Sequence, residues 1–183
     1  MYKESSRTKK QIYISLGTVN NKNNDFYKNC IQAFKELDID VVMSVGKNTD
    51  IKSLGDIPNN FCIKSSVNQI EVLQNSDVFI THCGMNSVNE SLYYGVPMVL
   101  FPQHSEQKMV CYRVSNLEAG IILKNNSIEL IKNSTLEVLN NYKYKENAIK
   151  LSESFNSAGG SKRASDIILD IIDRNVKKYI VNK

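Results

Sequence analysis

The stretch Asp77–Gln107, DVFITHCGMNSVNESLYYGVPMVLFPQHSEQ, sets the architecture of the whole chain. Val78, Phe79 and Ile80 form a short apolar run of the kind a buried parallel strand needs, and the run stops at the small, polar sequence Thr81-His82-Cys83-Gly84. Asn86 and Ser87 are good N-cap residues, and Ser87 with Glu90 gives the S-x-x-E pattern of a helix start. The helix is expected to run to Tyr94. Gly95 then supplies a left-handed stop and Pro97 blocks continuation, so Met98–Phe101 is the next buried strand, ended by Pro102. The unit is strand, loop, helix, strand, with its polar groups gathered where the first strand ends. In open parallel sheets ligands bind at that edge, and a helix N-terminus there offers free N–H groups to an anion.

Each of these residues also has a purely structural reading. Ser87 and Glu90 make a capping box, Gly95 a helix stop, and His82 a histidine at a strand end. Their coincidence favours a site, because the only two histidines, His82 and His104, each follow a buried strand at the same edge. Neither a Walker loop nor G-x-G-x-x-G is present, so the local physics points to a phosphate or diphosphate at a helix N-terminus without naming the ligand.

The rest of the chain alternates in the same way. Strands are expected at Gln11–Leu16, Val41–Val45, Phe61–Ile63 and Ile121–Leu123, and helices at about Asp25–Leu37, Gln69–Gln74, Gln107–Leu117 and Ile128–Leu139. From Tyr142 onward the pattern is helical, broken over Asn156–Ser161 at Gly159-Gly160, with Ser161 a possible cap for a helix carrying Ala164, Ile167, Ile168, Ile171 and Ile172. The prediction is one doubly wound, mostly parallel, Rossmann-like α/β sheet of about six strands with an all-helical C-terminal end. Residues 1–10 have the polar composition of a linker remnant, leaving 11–183 as the domain.

Composition narrows the function classes. With 42% hydrophobic and 23% charged residues in 183, the chain is an ordinary globular domain. No apolar run reaches the length of a transmembrane segment and the first residues lack the apolar core of a signal peptide, so a cytoplasmic protein is expected. The net charge of +4 is spread among dispersed lysines, which argues against a nucleic-acid partner. Cys30, Cys62, Cys83 and Cys111 lack C-x-x-C spacing and predict reduced thiols without a disulfide or a zinc site. At Cys83, packing is a better explanation than reactivity.

The strings T-H-C-G-x-N-S-x-x-E, G-V-P-M-V and P-Q-x-x-E-Q resemble the donor-binding signature of UDP-glycosyltransferases of the GT-B fold, especially the bacterial macrolide-glycosyltransferase-like branch. I-S-L-G-T at Ile14–Thr18, Val67 and Gln69 with Glu71, Val72 and Leu73, and Gly159-Gly160-Ser161 follow in the order that family has them. The resemblance implies one half of a GT-B fold. It places the donor diphosphate at His82, Gly84, Asn86 and Ser87, with Gly17 and Thr18 of the first loop nearby, although Thr18 fits a tight βα turn equally well. It puts Glu90 on the ribose hydroxyls, Val67 and Gln69 near base and ribose, and Glu106 with Gln107 on the sugar hydroxyls. It departs from the family pattern where an aromatic, often tryptophan, precedes V/A-P-Q: that place is Ser66, and the proline is Asn68.

The function so implied is the donor-binding half of an inverting hexosyltransferase that moves a sugar from a UDP-sugar to a small-molecule or lipid acceptor. UDP-sugar is then a substrate, and neither cofactor nor metal is expected, with the helix end and His82 standing in for a cation. In the family the general base and most of the acceptor pocket belong to an N-terminal domain. Here that domain is expected to be missing, either because the chain is a cut-out half or because it pairs with a separate subunit, and the chain alone is expected to be inactive. Two alternatives remain: half of a GT-B-fold nucleotide-sugar 2-epimerase, and a non-catalytic nucleotide-binding module.

Overall fold

In the computed structural model, residues 8–19 and 21–181 are described, with side chains as far as Arg174. Six strands form one parallel sheet in the order β3-β2-β1-β4-β5-β6: β1 Lys10–Ser15, β2 Ile39–Ser44, β3 Phe61–Lys64, β4 Val78–Thr81, β5 Met98–Leu100 and β6 Gly120–Ile122. The helices are α1 Asn24–Phe34, α2 Gln69–Gln74, α3 Met85–Tyr93, α4 Ser105–Asn116, α5 Ile128–Asn140, α6 Tyr142–Ser157 and α7 Gly160–Val181, with a short 3-10 turn at Ile51–Leu54. The strands run in register, Ile14 opposite Met43 on one side and opposite Ile80 on the other.

Successive strand residues point to opposite faces, and the two faces bury separate cores. Ile12, Ile14, Val41, Met43 and Val99 pack with Phe26 and Ile31 of α1 and with Ile131 and Val138 of α5. Tyr13, Phe79, Met98 and Leu100 pack on the other face with Val88 and Leu92 of α3 and with Cys111 and Val114 of α4. Each core holds a ring stack: Phe26 on Phe101, centroids 4.6 Å apart, and Tyr13 on Phe79, 4.7 Å apart. With both faces covered at the centre of the sheet, β4 and β5 are buried apolar runs, as the sequence of β4 already indicated, whereas β2 and β3 alternate toward the edge.

The expected doubly wound domain is therefore present, with several local differences. Strand β1 begins at Lys10, inside the supposed linker, because Asp77 at the start of β4 accepts from both the Lys10 ammonium (2.9 Å) and the Gln11 amide (2.8 Å). Residues 1–7 of that linker lie outside the described residues. Helix α4 starts at Ser105, two residues early, because the Gln107 side chain accepts from the main-chain amides of Gln103 (2.8 Å) and His104 (3.2 Å) and closes its first turn. Between α6 and α7 only Ala158 and Gly159 are outside helix, so Ser161 lies within α7 rather than capping it.

The cysteine expectation is overturned. Cys83 and Cys111 form a disulfide, with Cα atoms 6.0 Å apart, while Cys30 and Cys62 are free. The spacing of 28 residues contains no local motif, and the pair meets because Cys83, in the loop after β4, and Cys111, on α4, are buried in the same core.

Candidate functional site

Where the strand order reverses, the loop after β1 and the loop after β4 diverge at the C-terminal edge of the sheet and leave a crevice. A cleft of about 940 Å³ occupies it. Its wall is made from the ends of four strands: Ser15 closing β1 and Gly17 beyond it, Ser44 closing β2 and Gly46 beyond it, Ser65 and Ser66 after β3, and His82 and Gly84 after β4.

His82 is the hinge between two of these loops. A methyl group on Gly17 would come within 2.5 Å of the imidazole Cε1, and one on Gly84 within 2.7 Å of Nε2, so the ring occupies a slot that two glycines keep open. Gly17 also needs its glycine for a φ of +80°, whereas Gly84 has an ordinary φ of −60° and is required only by the ring. Burial pushes the His82 pKa below its usual value and His104 acts in the same direction, while the Ser15 main chain opposes the shift. The imidazole is therefore neutral at pH 7, and its Nδ1 is buried.

Gly84 is the N-cap of α3, in an extended conformation and with no side chain capping the helix. The first-turn amides of Met85, Asn86 and Ser87 are the groups a helix leaves without internal partners, and they carry the positive end of its dipole. This corrects the expected capping box. Ser87 is the third residue of the helix and not its cap, because the Gly84 backbone starts the helix earlier than the serine pattern suggests. Ser87 Oγ instead accepts from Gln69 Nε2 at 3.2 Å, and the same nitrogen donates to Glu90 Oε2 at 2.6 Å.

Gln69 is the first residue of α2, and its Oε1 accepts from the Tyr13 hydroxyl at 3.1 Å. Tyr13, Gln69, Ser87 and Glu90 thus form one connected polar group on the cleft wall, built from β1, α2 and α3.

Of the residues singled out in the sequence, Gly17, Thr18, Val67, Gln69, His82, Gly84, Asn86, Ser87, Glu90 and Gln107 all line this cleft. Glu106 does not. It is exposed on the first turn of α4, and Gln107 beside it has its carbonyl oxygen committed to the α4 cap. The expected acid-and-glutamine pair is therefore split, because consecutive helical positions lie about 100° apart around the axis.

Residues 1–157 match the family described as UDP-glucoronosyl and UDP-glucosyl transferase. The chain belongs to that family. It is similar to an uncharacterized UDP-glucosyltransferase of Bacillus subtilis, YojK, with 37% identity over 168 residues that span 91% of this chain and 42% of that protein. It is also similar to the NDP-glycosyltransferase YjiC of the same species, with 40% identity over 156 residues, 84% of this chain and 40% of that protein. The solved calicheamicin glycosyltransferase CalG4 superposes with a TM-score of 0.86 at 26% identity, over 93% of this chain and 44% of that one. This member of the UDP-glucosyl transferase family thus spans less than half the length of these relatives.

The family strings do not account for every cleft residue. Tyr13, Ser44, Lys47 and Asn48 also line it. Lys47 and Asn48 follow the end of β2, and the strand-end rule that flagged His82 would have flagged them too. Asn21 is buried (2% exposed), donates from Nδ2 to the Gly17 carbonyl at 2.9 Å, and fills the space that a side chain at Gly46 would need. It ties the β1 loop to the β2 loop. Among the described residues no group of three or more His, Cys, Asp and Glu gathers as a metal site would require.

Proposed function

We propose that this chain is the donor-binding half of an inverting glycosyltransferase that transfers a sugar from a UDP-sugar to a small-molecule or lipid acceptor. The observation that carries the proposal is the placement of His82, in its glycine slot, beside the uncapped N-terminus of α3, with Glu90 a little over one turn further along the same helix. Such a strip suits a diphosphate at one end and ribose hydroxyls at the other. Departure of the sugar leaves negative charge on the diphosphate, and fixed N–H donors aimed at that charge stabilise the transition state. In this reading the helix end and His82 serve where other enzymes use a cation, so no protein-held metal is proposed.

Binding and chemistry are assigned to different places. The cleft supplies donor contacts, and the general base and acceptor pocket are assigned to a domain or partner subunit outside these 183 residues. The relatives' greater length supports that assignment. No helix among the described residues is long and apolar enough to cross a membrane. The cytoplasm is the proposed setting.

Calorimetric titration with UDP, UMP and uridine tests the donor-site reading. UDP is expected to bind most tightly and uridine most weakly, with His82→Ala reducing UDP affinity far more than uridine affinity. Equal affinity for UDP and uridine, or no binding of either, overturns the reading.

A further inference from the structure

Gln69 reaches two acceptors with one nitrogen, and its amide can reverse its orientation without moving the backbone. If it reversed, its carbonyl oxygen would face the Glu90 carboxylate at the present 2.6 Å, two acceptors in contact. Ser87 Oγ, 3.2 Å away, can donate as well as accept and so leaves the choice of orientation to the carboxylate. The observed orientation therefore needs a donor on the opposite side of the amide. Tyr13 provides it, its hydroxyl donating to Gln69 Oε1 at 3.1 Å.

Tyr13 is well suited to that task. It is 1% exposed and its ring is held flat against Phe79, so the hydroxyl has little freedom to leave. Burial, helped by the nearby Glu90 charge, pushes its pKa up to about 12 against the Ser15 and Ser44 hydroxyls, so it keeps its proton at any physiological pH. It lies on the β1 face that packs against α2 and α3, two residues from the strand end, behind Gln69 as seen from Glu90.

We propose that Tyr13 is a positioning residue for the ribose end of the donor site: it locks the Gln69 amide with its NH2 toward Glu90 and Ser87, and so fixes the carboxylate that receives the ligand's hydroxyls. The inference rests on the donor-site reading. With Oε2 engaged by Gln69, the second Glu90 oxygen is the acceptor left for a ribose diol. Loss of the phenol leaves Gln69 Oε1 without its donor and the amide held at its nitrogen alone, so Glu90 is held less firmly while every atom of Gln69 and Glu90 is kept.

The test compares UDP with 2′,3′-dideoxy-UDP on the 183-residue chain and on Tyr13→Phe, which keeps the ring stack on Phe79. The wild-type chain is expected to prefer UDP by about tenfold or more, the value of hydrogen bonds to a charged acceptor. Tyr13→Phe is expected to cut that preference at least about threefold while leaving affinity for the dideoxy ligand nearly unchanged; a purely structural role would weaken both ligands alike. Gln69→Leu gives an independent route: it should lower the preference by itself, and adding Tyr13→Phe to it should lower it no further, as for two residues acting through one contact. An unchanged preference in folded Tyr13→Phe, or additive losses in the double variant, overturns the inference and leaves the donor site standing. Failure of the wild-type chain to bind UDP removes both.

Discussion

Gly84→Ala separates the slot around His82 from the backbone that carries it. At φ −60° the alanine backbone is unstrained, so the only new cost is contact with the ring: the added methyl lies 2.7 Å from Nε2 and 2.9 Å from Cε1. Such distances require movement, and because the ring has Gly17 on its other side, at 2.5 Å from an equivalent methyl, it can leave only by swinging out of the slot. The expected result is a protein of near-normal stability that has lost the His82 contact with phosphate. A hydrogen bond to a charged group contributes about 1.5–3 kcal/mol, so UDP affinity should fall roughly 10- to 150-fold. Uridine affinity should change little. In His82→Ala the slot is empty, so Gly84→Ala made in that background should add almost nothing, a double-mutant cycle with strong positive coupling. Gly17→Ala is the contrasting case: its φ of +80° adds a backbone cost of roughly 1–2 kcal/mol, and stability and binding should fall together. Calorimetry with UDP and uridine and a thermal melt of each variant suffice. Wild-type UDP affinity in Gly84→Ala, or equal losses with and without His82, would refute the slot as the device that aims the ring.

Other measurements follow from the same geometry. Because burial holds the His82 pKa below its usual value, its contribution to stability is present above about pH 6.5 and is lost as pH falls through the depressed value. Bound diphosphate acts the other way by favouring the charged ring, so affinity for a UDP-sugar should rise as pH is lowered from about 7.5 to 6, and His82→Asn should be flat. Thiol titration of the denatured, unreduced chain should find two groups, Cys30 and Cys62, and four after reduction; four at the outset would mean that Cys83 and Cys111 are thiols. Ser66→Trp places an indole on the cleft wall at an exposed position, and base stacking of about 1–3 kcal/mol should tighten UDP roughly tenfold. Unchanged affinity in that variant would place the base elsewhere in the cleft.

What the sequence made legible is what local periodicity and strand-end chemistry encode. The α2 boundaries at Gln69 and Gln74 agree with the expectation, β4 differs by one residue, and Gly95 at φ +62° is the left-handed stop that its position suggested. The site residues supplied by the family strings converge on one cleft because most of them sit at strand ends or on the first turns of helices that the sheet aligns. The misses are of another kind. Ser87 has a capping pattern, yet the cap went to Gly84, since an extended glycine competes for the same helix start and pattern alone does not rank the two. Glu106 stands next to a cleft residue in sequence and faces solvent in space. Tyr13 sits in a strand buried on both faces, where no alternation marks which residue will meet a distant glutamine. The Cys83–Cys111 pair depends on the loop after β4 and α4 meeting in one core, a contact between elements.

That last contact bears on the site itself. The residue between His82 and Gly84 must turn its side chain away from the cleft if both neighbours are to face it, and Cys83 does so by taking φ +69°, a left-handed conformation that costs a residue with a Cβ roughly 1–2 kcal/mol. A glycine would avoid the cost and leave the loop free to relax. Cys83 instead drives its side chain into the core beneath α3 and α4, where it is 1% exposed and joined to Cys111. The burial and the link offset the backbone cost and hold the loop in the one conformation that presents the His82 ring and the α3 amides to the same space. The β1 loop reaches the same result through Asn21, whose bond to the Gly17 carbonyl fixes the other glycine of the slot. Each loop around His82 is therefore pinned from behind by a buried side chain, and the face toward the cleft is left to the glycines, the imidazole and the free amides of the helix.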